Sequence, residues 1–281
     1  MTTLCRLACL AVGCVAVLGA TGASARVDLL SHRAVYRLSL ADTERSIGVT
    51  SIDGGLVLEW RASCEGSISN QRIGFVAGLG DGPGFVYDVR FSSWESRDGT
   101  QLRFSVRSFD DGKLVEAYRG EAALDAADGG GQATFVSPED QTLELPRGTL
   151  FPTEHMRRLI ESAERGDVVI GHDLFDGSGL EGLSRVTAVI GRSEVAERPS
   201  PEDADQKGAD QMGADATGTA RIWPVSLAYH PEAGVDDMPS FEISFDLTER
   251  GVLHDLVLDY GDFALKAEME QLETFPEPVC H

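Results

Sequence analysis

FVYDVRFSSWESRDGTQLRFSV, residues 85–106, is the stretch that decides the fold. Phe85, Tyr87, Val89 and Phe91 fall on one side of an extended chain, and Val86, Asp88, Arg90 and Ser92 fall on the other. Asp98-Gly99 then marks a tight turn, after which Leu102, Phe104 and Val106 alternate with Arg103 and Ser105. Successive side chains of a strand point to opposite faces, so this is a hairpin with one apolar face and one wet face.

The same period runs outward in both directions. Ala34, Tyr36, Leu38 and Leu40 alternate with Arg33, Arg37 and Ser39; Leu56, Leu58 and Trp60 with Val57, Glu59 and Arg61; Phe241, Ile243, Phe245 and Leu247 with Glu242, Ser244 and Asp246. Asp53-Gly54-Gly55, Asp81-Gly82-Pro83-Gly84 and Asp111-Gly112 read as turns. The pattern predicts a mainly β protein, an antiparallel meander of roughly a dozen or more strands. A sheet that long curls or closes to hide its edges.

One segment breaks the period. In FPTEHMRRLIESAERGD, Met156, Leu159, Ile160 and Ala163 share a helical face. Thr153 is the predicted N-cap, Glu154 suits the first turn and Gly166 the C-terminal stop. A single amphipathic helix among strands is expected to plug or cap the curled sheet. Residues 193–219, rich in Asp, Glu, Gly, Ala and Pro, read as a disordered acidic insertion; a linker between domains is the alternative.

The first residues have the parts of a secretory signal peptide: Arg6, an apolar run over 7–20, and Ala23-Ser24-Ala25. An uncleaved anchor and lipid attachment at Cys14 are the alternatives. The reading adopted is a signal over residues 1–25 and a single exported domain over 26–281, with no further transmembrane span. The formal charge of −22 becomes about −23 without Arg6, which argues against nucleic acid and against electrostatic docking on anionic membranes.

Cleavage removes Cys5, Cys9 and Cys14 and leaves Cys64 and Cys280. An even count in an oxidising compartment favours a bridge between them; two buried free thiols are the alternative. Such a bridge would close a loop of more than two hundred residues. The chain-entropy account values that at about 5 kcal/mol. It would fasten the last strand region to an early one and keep an open curled sheet from unwinding.

Catalytic signal is sparse. His32, His155, His172, His230, His254 and His281 show no zinc-ligand spacing, and no P-loop or dinucleotide fingerprint occurs. Ser178 lies in Asp176-Gly177-Ser178-Gly179, which lacks the first glycine of a nucleophile elbow, and a tight polar turn is preferred. His172, Asp173 and Asp176 read as a solvated loop rather than a metal site, and His155 as a helix-surface residue. Cys64 has no C-x-x-C partner for redox chemistry. Trp60, Trp94 and Trp223 are candidates to line a ligand groove, with core packing as the plainer reading.

Several segments taken in order resemble one family: His32-Arg33-Ala34-Val35-Tyr36, Ser63-Cys64-Glu65-Gly66, Ser93-Trp94-Glu95, Leu150-Phe151-Pro152-Thr153-Glu154-His155-Met156, Leu174-Phe175-Asp176-Gly177-Ser178, Trp223-Pro224-Val225, Tyr260-Gly261-Asp262-Phe263 and a final Cys280. This set is similar to the EipB family of alphaproteobacterial periplasmic proteins, long catalogued as a domain of unknown function. The resemblance implies a β-spiral, a long antiparallel sheet curled into an open barrel-like shell with an associated helix. It implies a role in cell-envelope integrity without enzymatic activity or cofactor, and a disulfide between the positions held by Cys64 and Cys280. The acidic insertion departs from the family's expected length.

Three functions follow as expectations. The first is a non-enzymatic periplasmic protein that binds another envelope component, protein or lipid. The second is a carrier of lipid or acylated protein on the concave face of the sheet. The third is a hydrolase using Ser178 or the Asp173 and Asp176 pair.

Overall fold

A computed structural model describes residues 26–41, 46–80, 82–125, 130–197, 219–231 and 238–280. Residues 1–25, read above as a signal, most of the acidic segment 193–219 and His281 lie outside the described residues. The chain opens with eight strands: β1 (His32–Leu40), β2 (Val49–Ala62), β3 (Gly66–Leu79), β4 (Gly82–Ser96), β5 (Gln101–Asp110), β6 (Lys113–Leu124), β7 (Gly131–Ser137) and β8 (Gln141–Leu145). The helix α1 (Pro152–Arg165) follows. A second run comprises β9 (Val169–Phe175), β10 (Leu183–Ile190), β11 (Glu194–Glu197), β12 (Thr219–Pro231), β13 (Phe241–Thr248), β14 (Leu253–Asp259) and β15 (Ala264–Thr274).

All fifteen strands join one sheet, in the order β8-β7-β6-β5-β4-β3-β2-β1-β15-β14-β13-β12-β10-β9, with β11 paired to β12. Each run is a meander, and the two meet where β1 pairs antiparallel with β15, from His32 opposite Thr274 to Leu40 opposite Leu265. The outer edges approach as well. The Leu150 N–H donates to the Asp173 carbonyl at 2.8 Å, and the Phe175 N–H donates to the Leu150 carbonyl at 3.0 Å. The result is a nearly closed, barrel-like antiparallel shell with one helix, as the alternation predicts.

The inner face follows the sequence period. Ala34, Tyr36 and Leu38 are buried, while Arg33 and Arg37 lie outside among Glu59, Glu268, Glu270 and Glu273. A large core gathers β1–β3, the β10–β15 half and the helix residues Leu159, Ile160 and Ala163. A smaller one stacks Phe104, Phe135, Phe151 and Phe175 with Leu102 and Leu183. Its rings meet edge to face, Phe104 and Phe175 at 5.5 Å between centroids, a favoured aromatic geometry. The turn after β9 seals this core. Gly177 has φ of 76°, and a Cβ there would lie 2.7 Å from Phe104, so only glycine fits.

Cys64, in the β2–β3 turn, is bonded to Cys280 with Cα atoms 5.5 Å apart. The seam between early and late strands, however, is the β1–β15 ladder itself. The bridge therefore pins the tail after β15 rather than the spiral. The Phe275 N–H donates to the Ser31 carbonyl at 2.7 Å, and Arg61 lies 3.3 Å above the Phe275 ring, holding the same tail. The acidic segment 193–219 is entered and left through paired strands, Glu194–Glu197 against the first residues of β12. Within 193–219, residues 198–218 lie outside the described residues.

Candidate functional site

The helix is set by a residue far from it. It begins two positions before the sequence predicts: Phe151 is the N-cap and has no side-chain capping bond. Thr153, expected as the cap, is buried inside the first turn. The Glu95 carboxylate of β4 supplies the missing acceptor, taking the Thr153 N–H at 2.7 Å and the Glu154 N–H at 3.0 Å. A carboxylate at the positive end of a helix is stabilised by the oriented peptide dipoles. Burial nevertheless pushes the Glu95 acid up to about 7, against the two helix N–H groups and nearby Arg157.

Thr153 then ties the helix start to the sheet. Its hydroxyl receives the Trp60 indole N–H at 3.3 Å and lies 3.1 Å from the Ser67 hydroxyl. A pocket of about 140 Å³ opens beside this junction, with Leu29, Leu58, Trp60, Met156 and Leu253 as its apolar wall. Ser69, Gln71, Ser93 and Thr153 give it a polar wall, and His32, Glu59 and Arg250 add ionisable groups to the lining. Apolar lining with a few convergent hydroxyls and amides is the make-up of small-molecule and peptide sites.

Further along the helix, His155 is buried, not at the surface as expected. Its Nδ1 lies 2.5 Å from Nε2 of His172 on β9, and its Nε2 has no hydrogen-bond partner among the described residues. Burial and the neighbouring imidazole push His155 down to about 3, so the pair is neutral and acts as a packed link between helix and sheet. Burial also lowers His172, with Arg158 adding to the effect.

The other candidates are dispersed. The Ser178 N–H donates to the Asp176 carboxylate at 2.8 Å in the turn after β9, and Ser178 is exposed. Asp173 lies 3.9 Å from Arg185. Among the described residues no group of three or more His, Cys, Asp or Glu is placed to hold a metal ion. The three tryptophans do not form one groove, which corrects the sequence expectation. Trp60 lines the pocket, Trp223 is core at 3% exposure, and Trp94 points to the outer face under Arg103, 5.0 Å from its ring. Trp94 alternates out of phase with the inward Ser93 and Glu95, which decides its face.

Sequence reasoning missed Glu95 as an organiser. Its signal was present: Glu95 shares the inward phase of Phe85, Tyr87, Val89 and Phe91, and a carboxylate turned inward requires a partner.

The EipB-like family model matches residues 23–276. The cell envelope integrity protein EipB of Brucella abortus (strain 2308) is 33% identical over 262 residues, 92% of this chain and 88% of that protein. A crystal structure of a beta-barrel-like protein of the domain of unknown function DUF1849, also from Brucella abortus, superposes with a TM-score of 0.76 at 32% identity, covering 89% of this chain and all of that one. Family match, sequence identity and shared barrel-like fold agree: this chain belongs to the EipB-like family.

Proposed function

We propose that the protein is exported to the periplasm by residues 1–25 and supports cell-envelope integrity without catalysing a reaction, by holding another envelope component against its inner face. The observation that carries this reading is the pocket beside Trp60 and Thr153, an accessible apolar recess inside the shell. Asp176, the acid nearest Ser178 in sequence, is already engaged by the turn, which favours binding over hydrolysis. Among the described residues no helix is long and apolar enough to cross a membrane.

The test is complementation. Gln71→Trp fills the recess from an exposed position on its rim. A deletion strain sensitive to envelope stress should be rescued by the wild-type chain and not by this variant. Full rescue by a folded Gln71→Trp protein would sink the reading.

A second reading is favoured by the apolar wall of Leu29, Leu58 and Met156: a carrier of lipid or acylated protein. Native mass spectrometry of the purified protein would then show a lipid mass that disappears in Gln71→Trp, and its absence from the wild type rejects the carrier.

A further inference from the structure

The end of the shell opposite the Trp60 pocket is ringed by aromatic side chains. Trp60 stands opposite Ser69, which stands opposite Ser93, whereas Phe85 stands opposite Ala77 at the far end of the same hairpins. Phe85, Tyr87, Tyr229, Phe241 and Phe263 are half-buried there, and Tyr260 is 40% exposed. They form two clusters from opposite halves of the sheet. Phe75 contacts Phe85 at 6.2 Å and Tyr87 at 5.4 Å. Tyr229, Phe241, Tyr260 and Phe263 form a continuous row, with successive centroids 5.7, 4.8 and 5.3 Å apart. The strand registers, Leu40 opposite Leu265, Ser39 opposite Asp53, Ile52 opposite Ala77 and Ala77 opposite Phe85, place both clusters at the same end of the shell and against the same core, although their strands are not neighbours.

Three observations show what such an opening lacks. The hydroxyls of Tyr87, Tyr229 and Tyr260 make no hydrogen bond among the described residues, whereas the Tyr36 hydroxyl donates to the Leu253 carbonyl at 2.8 Å. Arginine lies over Phe275, Phe109, Trp94 and Trp223, yet among the described residues no cation lies over a ring of this opening. Asp110 pairs across from Tyr87, and Glu116 across from the buried Ser108, which places both carboxylates on the same inner side. Both act on the Tyr87 phenol, and neither takes part in a salt bridge among the described residues. Ring faces beside unpaired carboxylates attract cations, and the attraction strengthens as the site is desolvated. A row of four rings is longer than one ammonium group requires and suits an extended chain.

We propose that this aromatic opening is a docking site for an extended basic segment of a partner polypeptide, with Lys or Arg side chains seated over the rings and facing Asp110 and Glu116. It rests on the binding role proposed above but uses the other end of the shell, so Gln71→Trp leaves it intact and separates the two.

The test is titration of the full exported chain at low salt with a capped peptide of four Lys-Pro repeats, its Glu-Pro counterpart, and tetramethylammonium chloride. The Lys-Pro peptide should bind and the Glu-Pro peptide should not. Tyr260→Ala, and separately the pair Asp110→Asn with Glu116→Gln, should each weaken binding about tenfold or more at unchanged melting temperature. The pair Glu268→Gln with Glu270→Gln makes the same charge change on the outer face and should leave affinity within about twofold. Equal losses in both charge pairs would reduce the effect to diffuse attraction and overturn the proposal. So would a Lys-Pro peptide that does not bind, or one indifferent to Tyr260→Ala. Tetramethylammonium binding as tightly as the peptide would reassign the opening to a lone ammonium head and overturn it too.

Discussion

Glu95 on β4 accepts the backbone N–H of Thr153 at 2.7 Å, capping a helix that lies 58 residues further along the chain. The contact fixes where the helix starts and holds Thr153 against Trp60 and Ser67 at the edge of the pocket. Glu95→Ala leaves two helix N–H groups without an acceptor, a loss of about 1–3 kcal/mol. For a domain of this size the melting temperature falls by about 2–4 °C per kcal/mol. Glu95→Gln keeps one acceptor oxygen and should lose less. Thermal melts by circular dichroism that place Ala and wild type together would remove Glu95 from the account.

Glu95 and His155 give opposite pH dependence. Glu95 is raised from 4.5 to about 7, so its favourable contribution is complete below about 4.5 and is lost as pH rises through about 7. His155 is lowered from 6.5 to about 3, so its contribution is complete above about 6.5 and is lost as pH falls towards about 3. On going from pH 7 to pH 5, His155→Leu should gain stability relative to the wild type, and Glu95→Gln should lose it. Urea midpoints at the two pH values measure both signs, and a shared sign contradicts this assignment.

The tryptophans separate by face. Trp223→Ala should cost about 3–5 kcal/mol, as large core truncations do. Trp94→Ala removes an outer-face contact with Arg103 and should cost about 1 kcal/mol or less. Denaturant unfolding of the two variants compares them directly. Similar large losses would mean that Trp94 packs inside.

Reduction of Cys64–Cys280, 216 residues apart, releases a tail that is also held through Phe275. The entropic value of about 5 kcal/mol is therefore an upper figure, and a fall of several degrees in melting temperature is expected. The shell itself should persist, because the β1–β15 ladder remains. Scanning calorimetry with and without reductant checks the shift, and loss of the far-ultraviolet β signal on reduction at room temperature would show that the bridge holds the spiral.

Alternation at Phe85, Tyr87, Val89 and Phe91, the turn at Asp98-Gly99 and the helical phase of Leu159, Ile160 and Ala163 were all legible in the chain and reappear in place. The reason is local: strand and helix periods depend on side chains two to four positions apart. The candidate site was much less legible. His155 follows the charged Glu154 and reads as surface, but β9 arrives over it with His172. Thr153 reads as a cap, but Glu95 reaches the helix N–H groups from another strand.

By itself the sequence determined the class of fold, the inward face of most strands, the amphipathic helix over Met156, Leu159, Ile160 and Ala163, and Cys64 and Cys280 as candidates for a bridge. Only the tertiary structure decided that the seam is β1 on β15, that the bridge holds a tail, and that Glu95, Trp60 and Thr153 share one junction. It also decided that aromatic side chains from opposite halves of the sheet gather at one end of the shell. Periodicity specifies direction from a strand, whereas closure of the sheet specifies which distant directions converge.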